Sequence, residues 1–168
     1  MRRQDIGRAC NWLTVAVVLG FIAQAVAGPF EDAGAAHKRA DYATEFKLLS
    51  PLAEAGNPDA QYNLGVLYDK GLRVPKDSTA AMKWFRKAAA HGNALAALGI
   101  GVMYAKGEGV VQDFFQARVW FFRAVERIPE SDAAHHATAV DYGDRAAAHL
   151  SAEQITAAKR LARSEKLE

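Results

Sequence analysis

The sequence predicts an all-α fold in which α/α helical hairpins stack side by side into a solenoid. Three observations lead there. Residues 56–91 slide onto residues 92–127 without a gap and agree at fourteen of 36 positions, and self-similarity at that period is the mark of a repeat architecture. Gly71 and Gly107, then Asp77 and Asp113, punctuate the two copies at the same places, as helix stops and helix starts do. Between these marks the apolar residues recur at i, i+3, i+4 and i+7, the period of a helix and not of a strand. One such hairpin cannot hide its own apolar face, so copies are needed and copies stack.

The first element, residues 1–27, is expected to lie outside the fold. Arg2, Arg3 and Arg8 precede an apolar run from Trp12, which ends at Ala25-Val26-Ala27. That is the layout of a secretory signal peptide, with cleavage expected before Gly28. The run is about 16 residues and includes Gln24, short of the roughly 20 that span a bilayer; retention of the segment would instead give a membrane-tethered protein. Removing residues 1–27 takes three arginines and one aspartate from totals of 21 basic and 19 acidic residues, leaving 18 of each. A neutral mature chain argues against nucleic acid, whose binding rests on a basic surface. The cut also removes Cys10, the single cysteine, so no disulfide is expected and packing must supply the stability.

Residues 28–57 read as N-terminal helices with a partial repeat. The period carries backwards to set Asp41 under Asp77, Leu48 under Trp84, Leu49 under Phe85 and Ala53 under Ala89. Residues 58–92 form the first full unit. Asn57 followed by Pro58 is a good start, since Asn accepts from the free amides and Pro at the first position loses no bond. Ala60, Leu64, Gly65 and Tyr68 share one arc of this first, or A, helix. Gly65, lacking Cβ, is expected to let the partner helix come close. Gly71 ends the helix. Asp77 starts the second, or B, helix, which carries Ala81, Trp84, Phe85 and Ala88; large rings beside alanines suggest rings nested over small neighbours. Residues 93–127 repeat the plan with Ala96, Gly101, Tyr104, Gly107, Asp113, Ala117, Trp120, Phe121 and Ala124. In residues 128–168 the period decays into a degenerate third unit, one longer helix capped by Ser131 or Asp132. A last helix follows, opened by a capping box of Ser151 and Gln154; it is expected to cap the open end of the stack.

These stretches resemble a known family, the Sel1-like repeat, a relative of the tetratricopeptide repeat. The likeness rests on "AQYNLGVLYDKGLRVPKDSTAAMKWFRKAAAHGN" at 60–93 and "ALGIGVMYAKGEGVVQDFFQARVWFFRAVE" at 97–126. Residues 42–57 are similar to the partial unit that often opens such proteins, and residues 150–163 to the tail that often closes bacterial ones. The chain departs from the pattern at Arg73, where Gly is usual, at Val111, where Pro is usual, and at Gly99, which interrupts the second A helix.

Catalytic motifs are absent from the sequence: there is no GxSxG, Walker loop, HExxH or CxxC. Asp132 and His136 stand i, i+4, with His135 and His149 in the same region, but His135 points about 100° away on a helix, and a solvated helix face is the expected reading. No cofactor and no metal is expected. Some Sel1-like families are described as β-lactam hydrolases; those chains are cysteine-rich, and this mature chain has no cysteine. An envelope hydrolase is therefore the alternative to a binding protein.

What remains is surface. Asp59, Tyr62, Val66 and Asp69 lie opposite the core arc of the first A helix, and their copies are Leu95, Leu98, Val102 and Ala105. The resemblance implies that this side lines a concave groove with a floor of Tyr62, Val66, Leu98 and Val102. The candidate partner-binding residues are thus Tyr62, Val66, Asp69, Leu95, Leu98 and Val102, either open to a peptide or helix of another protein or covered by the chain's own terminal helices. The resemblance further implies a periplasmic adaptor or regulator, with a membrane sensor or envelope protein as partner.

Overall fold

The computed structural model describes residues 28–164. The expected signal peptide lies outside the described residues. Within them the chain forms helices α1 (Pro29–Lys38), α2 (Tyr42–Glu54), α3 (Pro58–Lys70), α4 (Ser78–Ala90), α5 (Ala94–Lys106), α6 (Phe114–Arg127), α7 (Ala133–Ala147) and α8 (Ala152–Ser164). There is no strand among the described residues. Each helix from α1 to α7 packs on its neighbour in sequence, α5 also touches α7, and α8 returns to α6.

Local chemistry sets the helix starts. Asn57 accepts from the Ala60 amide at 2.9 Å and Asn93 from the Ala96 amide at 2.8 Å, each satisfying a donor that the first turn leaves free. Asp41, Asp77 and Asp113 do the same for Thr44, Ala80 and Gln116. The partial unit therefore supplies its B helix, α2, in register with α4 and α6. At the other ends, Gly71 and Gly107 take left-handed φ values of 67° and 72°, and the Asp77 and Asp113 amides each reach back 3.0 Å to the carbonyls of Tyr68 and Tyr104. The turns are copies. Arg73 adopts φ 71° where Gly109 adopts φ 70°, so the first unit holds the shared loop shape with a residue whose Cβ disfavours it.

Packing then joins the hairpins. A Cβ on Gly65 would stand 2.5 Å from Cε1 of Phe85, and one on Gly101 would stand 2.6 Å from Cε1 of Phe121, well inside carbon–carbon contact. These two glycines set how closely α3 meets α4 and α5 meets α6. The rings they admit are the phenylalanines: Phe121 is fully buried and Phe85 nearly so. Trp120 is also buried, whereas Trp84 is only partly buried, with the Lys87 ammonium 4.3 Å from its ring centroid. Two nested tryptophans were expected, and only Trp120 is enclosed. Trp84 packs against the small apolar cluster of the first three helices, outside the largest core, in which Trp120 is held.

Three apolar clusters result. The first joins Ala33, Leu49, Ala53, Ala60, Leu64 and Leu67 across α1 to α3. The largest runs from Ala81 on α4 to Ala146 on α7. The third lies between α6 and α8, where Val119 meets Ala158 and Ala162. The last helix thus covers the side of α6, and α7 lies across the α5–α6 hairpin, dividing between two helices the capping role expected of α8. The Ser151–Gln154 capping box forms, with the Ser151 amide donating to Oε1 of Gln154 at 2.8 Å. Two buried polar side chains, Gln61 and Glu45, tie neighbouring helices together. Nε2 of Gln61, itself buried, donates to the Ala53 carbonyl at 3.0 Å, and the buried carboxylate of Glu45 lies 3.0 Å from Nδ1 of His37.

Candidate functional site: the groove between the A helices

Helices α3 and α5 are successive A helices and leave a groove of about 240 Å³ between them. From α3 it is lined by Tyr62, Val66, Asp69 and Lys70, and from α5 by Leu95, Gly99, Val102, Met103 and Lys106. Phe85 of α4 and Glu108 of the following turn complete it. None of these residues belongs to α1, α2, α7 or α8, so among the described residues the terminal helices do not cover the groove.

Its floor depends on the phenylalanine already fixed by Gly65. One edge of the Phe85 ring faces Gly65; the other stands 3.3 Å from where a Cβ on Gly99 would be. The ring passes between two A helices at the two points where each lacks a side chain. Tyr62 leans on it, with ring centroids 5.7 Å apart. Burial pushes the Tyr62 phenol above its ordinary value, so it stays a neutral hydroxyl at physiological pH.

Charge gathers at one end, where α3 and α5 finish. Lys70 pairs with Asp69 at 3.2 Å, and Lys76 reaches toward Glu108 at 3.9 Å. At the opposite end the two helix starts are tied together, as Nδ2 of Asn93 donates to Asp59 at 2.8 Å. A groove with an apolar floor, one charged end and no catalytic pair can seat side chains of another molecule; its volume is below the ~300 Å³ at which small-molecule sites commonly begin.

Comparison with known proteins agrees with this architecture. Residues 58–93 and 94–127 each match the Sel1 repeat. The chain carries two Sel1 repeats. A solved protective antigen of uropathogenic Escherichia coli displaying an SLR fold superposes with a TM-score of 0.71 and 26% identity, over 80% of this chain and 28% of that one. A Sel1 repeat protein from Oxalobacter formigenes gives 0.56 and 28%, over 74% of this chain and 57% of that one. Over 63 residues the chain is 40% identical to the ERAD-associated E3 ubiquitin-protein ligase component HRD3A of Arabidopsis thaliana, which is 36% of this chain and 9% of the plant protein. The chain therefore spans a minor part of that curated relative.

Within the Sel1 repeats, the structure brings Tyr62, Val66, Asp69, Leu95 and Val102 to one groove. It does not bring Leu98 there. Leu98 is buried, 8% exposed, in the core that joins α4 to α7. The groove floor is therefore Tyr62, Val66 and Val102 with Leu95 and Phe85. Lys70, Phe85, Gly99, Met103, Lys106 and Glu108 were missed by sequence reasoning. Gly99 had left a signal, as an interruption of an otherwise apolar helix, and Lys106 another, as one of the fourteen repeated residues.

The Asp132 and histidine region is spent on structure. Asp132 accepts from the His135 amide and lies 2.8 Å from that histidine's Nδ1, and the hydrogen bond to His135 holds the Asp132 carboxyl below its ordinary value. The His149 ring stacks on Phe114, with centroids 3.9 Å apart. Among the described residues no three metal-ligating side chains converge.

Proposed function

We propose that this Sel1-repeat protein is an exported adaptor or regulator that binds another protein through the α3–α5 groove and catalyses no reaction. The single observation that carries the reading is the groove itself: Tyr62, Val66, Leu95 and Val102 line a concave apolar surface that no described terminal helix fills. Sel1 repeats are a protein-interaction fold, which supports the same reading. Export to the periplasm rests on residues 1–27, with their arginines, apolar run and Ala-Val-Ala end; the partner is then an envelope protein or membrane sensor.

Site-specific photo-crosslinking tests the reading. A photoreactive side chain is placed at Val66 in the groove or at Lys83 on the exposed face of α4, and the full chain is irradiated in its own cells. A protein partner crosslinked from Val66 and not from Lys83 is the expected result. Crosslinking from Lys83 alone would move the binding surface to the B helices and refute the groove. Fractionation and intact mass of the same samples test export and cleavage before Gly28.

A further inference from the structure

We propose that the groove takes a short linear segment of a partner protein that pairs an apolar side chain with a carboxylate, the carboxylate meeting Lys106. The inference rests on the groove reading and adds the chemistry of its occupant. Lys70 and Lys106 occupy the same repeat position at the ends of α3 and α5, and both line the groove. Their neighbours differ. Lys70 is preceded by Asp69 and pairs with it at 3.2 Å, whereas the residue before Lys106 is Ala105. Glu108, the other acid of the groove, faces Lys76. Lys106 thus lacks an ion pair among the described residues, at the end of an apolar channel where a carboxylate would be drawn to it.

A second group points the same way. Tyr62 lines the groove, is partly buried, and its hydroxyl has no hydrogen-bond partner among the described residues. A neutral phenol in that position donates to an acceptor brought by the occupant. Donors at Tyr62 and Lys106, with Val66, Leu95 and Val102 lining the same groove, match a segment that presents acceptors and one or two aliphatic or aromatic side chains. The volume of about 240 Å³ suits side chains of that number and falls short of most cofactor pockets.

A random peptide library displayed on phage and selected on the full chain supplies the probes, and fluorescence anisotropy of the best peptide measures binding. The selected peptides should pair Asp or Glu with a nearby apolar residue. Lys106→Glu, at an exposed position, should weaken the best peptide about tenfold or more, and exchanging the peptide's acids for lysine should restore binding to that variant. Tyr62→Phe removes only a hydroxyl, spares the fold and should weaken binding several-fold. Peptides without acids, still competed by the groove variant Val102→Glu, would overturn the charge inference and leave the groove standing. Peptides indifferent to Val102→Glu, Tyr62→Phe and Lys106→Glu alike, or no enrichment at all, would overturn both.

Discussion

Replacing Gly65 by alanine tests the geometry on which both the hairpin and the groove floor rest. The added methyl would lie 2.5 and 2.6 Å from Cε1 and Cδ1 of Phe85, about 1 Å inside the 3.5 Å at which carbons rest comfortably. The ring cannot retreat freely, because its far edge already faces Gly99 on α5. Helices α3 and α4 must therefore separate, and overpacking of this kind costs ~1–3 kcal/mol. Alanine returns about 1 kcal/mol of helix propensity. With the clash at the upper end of its range, a net loss of about 2 kcal/mol follows, a fall in Tm of roughly 4–8 °C for a domain near 150 residues. Gly34→Ala is the control: Gly34 lies in α1 with nothing within 4 Å of its missing Cβ, so it should gain up to about 1 kcal/mol. Circular dichroism at 222 nm during thermal and urea unfolding reads both. If Gly65→Ala proves as stable as the parent while Gly34→Ala behaves as stated, the close-approach argument is wrong, and so is the shared account of Gly101 and Phe121.

Trp120→Ala should cost about 3–5 kcal/mol through the cavity it leaves, whereas Trp84→Ala, at a half-buried site, should cost visibly less; equal losses in urea titrations would contradict the burial of the two rings. Arg73→Gly should raise stability by up to about 1 kcal/mol, since it relieves a left-handed φ of 71° that glycine adopts freely, and a lowered melting point would show that the Arg73 side chain contributes more than its backbone costs. The Thr44 hydrogen bonds hold the Asp41 carboxyl below its ordinary value of 3.8. The unfolded chain then binds the proton first as pH falls, so this contribution is intact above about pH 5 and is lost as pH drops through the lowered native value. Asp41→Asn keeps an N-cap acceptor and should flatten that part of the stability–pH curve; an unchanged acid limb would remove Asp41 from the account.

The features legible in the sequence were those made within one turn of chain. Asn57, Asp77 and Asp113 bond to amides three residues on, and Gly71 and Gly107 bend their own backbone, so each leaves a local mark. The glycines at 65 and 101 were legible for a related reason: a small residue repeated beside large rings can serve only close approach. Less of the groove was readable. Successive residues of a helix differ by about 100°, so periodicity assigns an arc but not what covers each residue of it: Tyr62 lines the groove, while its copy Leu98 joins the core. That core extends to Ala139 and Ala146 of α7, a helix the repeat pattern does not describe because the third unit has lost its period.

By itself, then, the sequence determined the repeat length, the helix ends, the left-handed turns and the hairpins that must stack, because these follow from contacts a few residues apart. Only the tertiary structure decided that Phe85 reaches between two A helices, that Leu98 is core, that α8 covers α6 and that Lys106 stands at the groove without the partner Lys70 has. Those outcomes depend on how separate helices cross and how near their side chains come. Residues far apart in the chain share that geometry, and no local pattern records it.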